Sequence, residues 1–402
     1  MKNYEQTSKP TILFIIILGA LTAIGALSID MFLPGLPQLR SDFGTTTSNA
    51  QLTLSLFMIG LALGNLFIGP ISDALGRKKP LIIAMVIFAI ASIAIVFTTN
   101  IWIMVLLRFI QGFCGGAGAV ISRAISSDLY SGKQLTKFLA VLMLVNGIAP
   151  VIAPTLGGII LSFSTWRMVF IILTIFGVCM VVGSLFKINE SLPIERRDQA
   201  HIGAIFKNFS MLIVKPKFVL PMLIQGFTFI MLFSYISASP FITQRIYHLS
   251  ALHFSWMFAG VGITLIFSSQ LTGKLVDYIN QQTLLRALTL IQIIGVIWVT
   301  ITLTAHLHII TLIIGFVILV APVTGVATLA FSIAMNERTG GSGSASSLLG
   351  LVQSLFGGLV TPLVGLAGET SAMPYITIIC ISGVILIILQ IFNYFAFRNT
   401  VQ

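Results

Sequence analysis

The sequence predicts an all-α polytopic membrane protein with twelve transmembrane helices arranged as two six-helix pseudo-repeats. Hydrophobic residues make up 57% of the 402 residues and charged residues only 8%, whereas roughly a quarter of the residues of soluble proteins are charged. Twelve apolar runs are long enough to cross a bilayer, which takes about 20 residues. Short motifs of the first six runs also recur in the last six.

The longest polar stretch of the chain separates the twelve runs into two groups of six. We predict an N-terminal half at residues 1–187, a cytoplasmic linker at residues 188–217 and a C-terminal half at residues 218–402. Within the linker, an amphipathic surface helix is predicted near residues 202–213. The predicted spans are residues 11–33, 48–70, 80–98, 101–124, 136–161, 167–187, 218–240, 252–273, 284–305, 309–335, 343–367 and 373–397.

The loops after spans 2 and 8 show the internal repeat. Gly69 and Asp73 follow span 2, and Gly273 and Asp277 follow span 8 at an offset of 204 residues. Spans 5 and 11 each carry an amide side chain followed by proline and glycine at nearly the same offset. Duplicated halves of the same orientation predict a pseudo-two-fold axis along the membrane normal, with a binding site between the halves near the middle of the bilayer.

The distribution of positive charge predicts the orientation. If both termini are cytoplasmic, 18 of the 22 lysines and arginines lie on the inner side and three lie on the outer side, namely Arg40, Arg167 and Arg245. The positive-inside rule therefore predicts cytoplasmic termini in a cell membrane. Because the net charge of +11 is dispersed over short loops, no nucleic-acid partner is predicted, and the lipid bilayer is the expected environment.

Several classes of function are disfavoured by what the sequence lacks. The three cysteines lie far apart within apolar runs, so neither a disulfide framework nor a metal site is predicted. No nucleotide-binding loop and no cluster of histidine with aspartate or serine at membrane depth is found. We therefore predict neither an enzyme nor a cofactor, and an ion gradient must supply the energy.

Asp30 is the only carboxylate that the predicted spans place at membrane depth. A charge at that depth is costly unless it is paired, hydrated or protonated, so Asp30 is a functional candidate by default. Arg108 in span 4 is predicted to lie in the same outer half, where it could face Asp30 across a central cavity. We predict that these two residues couple transport to protons.

Residues 69–78 read G-P-I-S-D-A-L-G-R-K and resemble the signature loop between helices 2 and 3 of the major facilitator superfamily. The resemblance implies a conformational gate, in which the glycine permits close helix approach and the aspartate caps a helix of the other half. Asp128, at the inner end of span 4, is the candidate partner of the loop arginine. The matching loop residues are Gly69, Asp73, Gly76 and Arg77. The second copy of the loop lacks the Gly-Arg-Arg ending, so a weaker latch is predicted there.

Span 5 is similar to the antiporter motif of drug exporters in that superfamily. Proline and small residues let a helix bend and pack tightly. The residues that carry this similarity are Gly147, Pro150, Pro154, Gly157 and Gly158. Residues 26–37, ALSIDMFLPGLP, are similar to the first helix of drug:proton antiporters of the bicyclomycin and chloramphenicol resistance type.

These resemblances imply a proton-coupled antiporter, working as a monomer in a bacterial membrane, that exports small hydrophobic drugs. Phenicols, or cationic antibiotics and dyes, are the expected cargo, and the proton gradient takes the place of a cofactor. A proton from outside would neutralise Asp30 while the drug leaves as the halves rock. Export of an endogenous metabolite or amino acid, and uptake by proton symport, remain open. The candidate substrate-binding residues are Asp30, Met31, Phe57, Asn146, Gln225, Tyr235 and Gln353.

Overall fold

The computed structural model describes residues 12–130, 132–197, 209–337 and 342–398, with some side chains within these ranges left out. The described residues form helices and connecting turns, with no β-strand among them. The twelve long helices are α1 (Ile12–Asp30), α2 (Thr47–Leu75), α3 (Lys78–Phe97), α4 (Ile101–Leu129), α5 (Gly132–Phe163), α6 (Trp166–Lys187), α7 (Pro216–Phe241), α8 (Ala251–Leu275), α9 (Gln281–Thr304), α10 (Ile309–Val320 continued by Pro322–Asn336), α11 (Ser342–Val364) and α12 (Met373–Arg398).

Hydropathy explains why the chain folds into these helices. In hydrocarbon every backbone polar group must be satisfied within the segment, and the α-helix achieves this. Eleven of the helices in the described ranges are long and apolar enough to cross a membrane. The twelfth, α5, has 32 residues, and its described apolar part is Ile148–Phe163. The chain is therefore a multi-pass membrane protein, and the predicted fold class is confirmed.

Polar side chains mark where several helices begin. The Thr46 hydroxyl accepts a hydrogen bond from the backbone amide of Asn49 at 3.2 Å at the start of α2. The side-chain oxygen of Asn100 accepts from the amide of Trp102 at 2.8 Å at the start of α4. Such caps satisfy amides that have no partner within the helix, so these loop residues fix the first turn.

The two groups of six helices pack in the same way. In the first half α1 packs on α5, α2 on α4 and α3 on α6. The equivalent pairs of the second half, α7 with α11, α8 with α10 and α9 with α12, are also in contact. Between the halves α2 packs on α11 and α5 packs on α8. The pseudo-two-fold rotation that relates the halves converts the contact of α2 with α11 into that of α8 with α5, as expected for duplicated halves.

The helix bundle has two ends, one of which carries the linker. We call the end where α1 begins and α12 ends the linker side, because residues 188–197 of the linker lie there, and the opposite end the distal side. Of the amphipathic helix predicted near residues 202–213, only residues 209–213 fall within the described ranges, and these are helical.

Candidate functional site

A cavity of about 470 Å³ lies between the halves. It runs from the middle of the helices toward the linker side, with α1, α2 and α4 on one wall and α7, α10 and α11 on the other. Its polar lining residues are Thr22, Asn65, Arg123, Gln225, Ser346, Ser347, Gln353 and Ser354. The remaining lining residues are small or apolar, a mixture typical of sites for small organic molecules.

Hydrogen bonds between the halves close the bundle on the distal side. The Ser48 hydroxyl of α2 donates to the carbonyl of Pro362 in α11 at 2.7 Å. The Gln51 side-chain amide donates to the carbonyl of Ser237 in α7 at 3.1 Å. The hydroxyl of Ser55, one turn further along α2, is hydrogen-bonded to that of a threonine in α11. These contacts cover the end of the cavity that faces away from the linker.

An ion bridge strengthens the distal closure. The Glu369 carboxylate, in the loop between α11 and α12, lies 3.5 Å from the guanidinium of Arg40 in the first half. It also lies 3.4 Å from the guanidinium of Arg245, after α7. The Arg245 guanidinium in turn donates to the carbonyl of Pro37 at 3.3 Å, on the first half. We call Arg40, Glu369 and Arg245 the distal ion bridge; it joins the short helix Leu36–Asp42 of the first half to the helical turn Ile242–Ile246 and to the loop that carries Glu369 in the second half.

Two glycines of the α5 motif lie where α5 meets its neighbours on the distal side. A Cβ atom on Gly157 would collide with the backbone carbonyl of Met31 at the end of α1. A Cβ atom on Gly158 would collide with the side chain of Ser255 in α8. The motif therefore permits close contact both within the first half and between the halves. Pro150 and Pro154 lie inside α5, which stays helical through both, and the Gly147 position lies outside the described side chains.

Asp30 lies at the distal end of α1, next to the closed end of the cavity. It is only 6% exposed, and it forms no ion pair or side-chain hydrogen bond with the described residues. Ala26, one helical turn earlier, lines the cavity, and residues four apart share a helix face. The carboxylate is therefore one turn beyond the cavity lining, covered by the distal closure.

Arg108 does not pair with Asp30 in this conformation. The guanidinium is fully buried; it donates to the carbonyl of Thr53 at 3.2 Å and to the side-chain oxygen of Gln111 at 2.6 Å. It also lies over the ring of Phe57, 4.3 Å from the centroid. Aromatic faces attract cations, so these groups of the first half hold the charge of Arg108 within that half. The predicted approach of Arg108 to Asp30 across the cavity is absent here.

Of the predicted substrate-binding residues, Gln225 and Gln353 line the cavity. The side-chain amide of Gln225 in α7 donates to the side-chain oxygen of Gln353 in α11 at 3.1 Å. The pair presents amide groups to the cavity from the second half. The side chain of Asn146 lies outside the described part of α5.

The other predicted substrate-binding residues do not line the cavity in this conformation. Met31 is buried at the distal end of the first half, and Phe57 lies beneath Arg108. Tyr235 is buried in the second half, where its ring stacks on Phe258 with centroids 5.4 Å apart. It also meets the ring of Phe316 edge-on at 4.8 Å. In this conformation neighbouring side chains cover these residues.

The signature loop forms an ion-pair network on the linker side. The Arg77 guanidinium lies 2.5 Å from the Asp73 carboxylate and 3.0 Å from that of Asp128, the partner suggested by the sequence. The hydroxyl of Ser191 donates to Asp128 at 2.8 Å. Although burial by itself would lower it, the pKa of Arg77 is raised by the hydrogen bond to Asp128 and by the charge of Asp73. Within the described ranges Asp73 forms no ion pair or hydrogen bond with the second half, unlike the cap that the family resemblance implies.

Glu190 of the linker caps the start of α3. Its carboxylate accepts hydrogen bonds from the backbone amides of Arg77 at 2.8 Å and Lys78 at 3.2 Å. Burial would raise the pKa of Glu190, but these amides, that of Leu192 and the charge of Arg197 together hold it below its ordinary value. A carboxylate is also favoured at the positive end of a helix dipole. The linker is thus tied to the first half.

The loop glycines differ in what they contribute. Gly76 adopts φ +88°, and a Cβ atom there would collide with the Glu190 carboxylate, so this turn requires glycine. A Cβ atom on Gly69 would lie 3.6 Å from a Val120 methyl group, which is an ordinary contact. The close approach of α2 to α4 instead occurs at Gly60 and Gly64. In this conformation the role implied for Gly69 is therefore not required.

Three charged residues with defined positions were not singled out from the sequence. Arg123 lines the cavity, Glu190 caps α3, and Glu369 joins the halves. A signal existed for Glu369, because the outer arginine Arg245 has no acidic neighbour in sequence, whereas Glu369 is an acid in an outer loop. The signals for Arg123 and Glu190 are weaker, since both lie among many linker-side charges.

Two six-helix halves around a cavity that is closed at one end define a membrane transporter. The chain belongs to the Major Facilitator Superfamily, whose family model matches residues 18–362. It is 37% identical to the uncharacterized MFS-type transporter YdgK of Bacillus subtilis over 385 residues, 95% of each chain. It is also 30% identical to a bicyclomycin resistance protein homolog of Haemophilus influenzae over 367 residues, 91% of this chain and 92% of that protein.

Solved structures show the same fold. A bacterial homolog of the human lysosomal transporter Spinster, crystallised in an inward-facing and occupied conformation, matches with a TM-score of 0.79. The match covers 98% of both chains at 16% identity. This likeness concerns the fold alone.

Proposed function

We propose that the protein is a proton-coupled antiporter that exports small hydrophobic drugs, phenicol-type antibiotics among them. The observation that carries the proposal is a cavity between the halves whose closed end lies one helical turn from Asp30, a buried carboxylate without an ionic partner in the described ranges. The bicyclomycin resistance homolog supports the choice of cargo. So does the multidrug resistance protein MdtL of Vibrio parahaemolyticus, which is 25% identical over 380 residues.

The proposed orientation is compatible with export. With most lysines and arginines on the linker side, the positive-inside rule makes that side cytoplasmic. The cavity then faces the cytoplasm and accepts cargo from there or from the inner leaflet. Loss of the distal contacts and closure of the linker side would release the cargo outside, as alternating access requires.

Asp30 is the proposed coupling acid. Opening of the distal side would expose its carboxylate to external protons, and burial on closure favours the protonated, neutral form. Reopening of the linker side would bring Asp30 next to the cavity, where incoming cargo displaces the proton directly or through conformation. Arg108 has a supporting role, because it holds the helices around the end of α1 through Thr53 and Phe57.

The experiment is gradient-driven uptake of chloramphenicol into inverted membrane vesicles with an acidic interior, comparing wild type with Asp30→Asn. Wild-type accumulation should collapse when the pH gradient is dissipated, and Asp30→Asn should still bind drug without responding to pH. Glu195→Gln, at an exposed position of the linker, is the control and should transport normally.

Two outcomes would contradict the proposal at different points. Gradient-driven transport that survives in Asp30→Asn removes Asp30 as the coupling acid. Failure of the wild type to move chloramphenicol under any gradient would contradict drug efflux, and export of an endogenous metabolite becomes the function to test.

A further inference from the structure

Charge is unevenly distributed over the cavity lining. Arg123 is the only charged residue among the described residues that line the cavity. Its side chain is exposed, and Nε donates to the carbonyl of Ala119, one turn earlier in α4, at 3.2 Å. No carboxylate of the described ranges lies within ion-pair distance. The cavity therefore presents an uncompensated positive charge.

Other basic residues on the linker side are satisfied by the protein itself. Arg77 pairs with two carboxylates. Arg197 lies 4.0 Å from the carboxylate of Glu190. The guanidinium of Arg286 lies over the ring of Tyr394, 4.6 Å from the centroid. Arg123 differs from all three in facing the space where cargo would bind, so its natural partner is a group brought by the cargo.

The polar groups opposite Arg123 are neutral. Ser347, Gly350 and Ser354 lie three to four residues apart in α11 and so share one face of that helix, which lines the cavity. Gln225 and Gln353 add amide groups on the same half. Hydroxyl and amide N–H groups donate to negatively charged or carbonyl-like oxygens. No group of the described lining supplies the negative charge that would attract a cation.

We propose that the cavity selects small organic compounds that carry an acidic group, such as a carboxylate or phosphonate, and disfavours organic cations. Arg123 binds the acidic group, α11 and the glutamine pair donate to further oxygens, and the apolar lining around Leu61 and Phe331 packs against the hydrophobic body. Neutral compounds rich in acceptor oxygens, phenicols included, are tolerated. This inference rests on the proposed export function and specifies its cargo.

Electrostatics explains why the cavity should prefer anions to cations. A guanidinium favours an anion and disfavours a cation by equal Coulomb energies at equal distance, and a partly enclosed cavity weakens this less than bulk water does. Arginine is also suited to acidic groups because its planar fork donates two parallel hydrogen bonds to one carboxylate. Loss of one such charged interaction is expected to weaken binding roughly tenfold or more.

The test uses two dyes with the same xanthene core and opposite charge at neutral pH, fluorescein and tetramethylrhodamine methyl ester. Binding to the purified full-length protein is measured by fluorescence anisotropy without any gradient. Fluorescein should bind at least tenfold more tightly than the rhodamine ester. Arg123→Gln should remove this preference, and Arg123→Glu should reverse it, which a misfolded variant could not do. Lys274→Gln removes the same charge at an exposed position at the end of α8 and should leave the preference intact.

Equal or tighter binding of the rhodamine ester, no binding of fluorescein, or a preference that persists in Arg123→Gln would each overturn the inference. Transport of the same dyes into proteoliposomes tests the proposed antiport separately from the binding preference. Arg123-dependent fluorescein binding without proton-driven movement would leave the cargo selectivity standing and would contradict antiport alone.

Discussion

Neutralising Glu369 should open the distal side. The Glu369→Gln variant keeps the shape of the side chain but removes both ion pairs of the distal ion bridge, at 3.5 Å to Arg40 and 3.4 Å to Arg245. It also leaves two arginines close together without the acid that separates them. Because the pairs join the two halves, their loss destabilises the distally closed conformation relative to a distally open one.

The size of the effect follows from the exposure of the pairs. The glutamate side chain is 22% exposed and the arginine side chains are 36% and 38% exposed. Ion pairs of this kind contribute about 0.2–1 kcal/mol each, so the bridge contributes about 1 kcal/mol. Such a loss shifts the equilibrium between closed and open forms about fivefold.

Cysteine accessibility measures this shift. Ser55→Cys places a thiol in the closed distal contact, where Ser55 is 1% exposed, in a background without the three native cysteines. Labelling by a membrane-impermeant maleimide then reports the open fraction. Glu369→Gln should raise the labelling rate about fivefold. High salt should raise the rate of the parent protein and change that of the variant little, because salt screens exposed charges.

Asp42→Asn is the matched control for this prediction. It removes an ion pair on the same side, with Arg167 at 3.1 Å, but that pair lies within the first half. Its labelling rate should therefore match that of the parent. An unchanged rate in Glu369→Gln, or an equal increase in Asp42→Asn, would refute the assignment of the bridge as a closure between the halves.

Three further predictions concern other contacts. Gly158→Ala should also increase distal labelling, because its Cβ meets Ser255; the added change Ser255→Gly should recover part of the effect, and no recovery would place the strain elsewhere. Arg77→Gln and Asp128→Asn should each lower the apparent melting temperature, and a double-mutant cycle should give a coupling of about 1–3 kcal/mol; additive losses would contradict a direct pair. The pKa of Glu190 is lower in the folded protein than its ordinary value, so its stabilisation is present above about pH 4.3 and is lost as the pH falls through the folded value. Glu190→Gln should accordingly lower the free energy of unfolding at pH 7 by about 1 kcal/mol, the value of a helix cap. The melting temperatures of wild type and Glu190→Gln should become equal in acid. A difference that persists in acid would argue against the carboxylate as the cause.

The twelve helices were predictable because a membrane leaves a segment few choices. A long apolar run must satisfy its own backbone, so hydropathy alone locates the helices. The pair of Arg77 and Asp128 was also predictable, since both residues lie at the linker-side ends of helices that adjoin in the first half. For residues at the ends of adjoining helices, depth along the membrane normal is nearly sufficient to predict which side chains are in contact.

Depth alone was not sufficient for Asp30 and Arg108. Both lie in the distal half as expected, but the aromatic ring of Phe57 and the carbonyl of Thr53 occupy the surroundings of the guanidinium. Which side chain covers another depends on helix rotation and packing, which hydropathy does not encode. Glu190 and Glu369 were missed for a related reason. The α3 amides that Glu190 caps and the arginines that Glu369 pairs with lie more than a hundred residues away in sequence, and a short loop gives no periodic pattern from which its position could be inferred.

The positive charge of Arg123 in the cavity lining also bears on how the membrane potential could contribute to transport. If each cycle brings in one proton and carries out one singly charged anion, both steps move positive charge inward. An elementary charge crossing 100 mV is worth about 2.3 kcal/mol, so a potential of about 100 mV, negative inside, would add about 4.6 kcal/mol to the pH gradient in each cycle. An organic cation exported for one proton would draw nothing from that potential. For the proposed antiport, selection of the cargo by Arg123 would therefore set whether the membrane voltage can drive export.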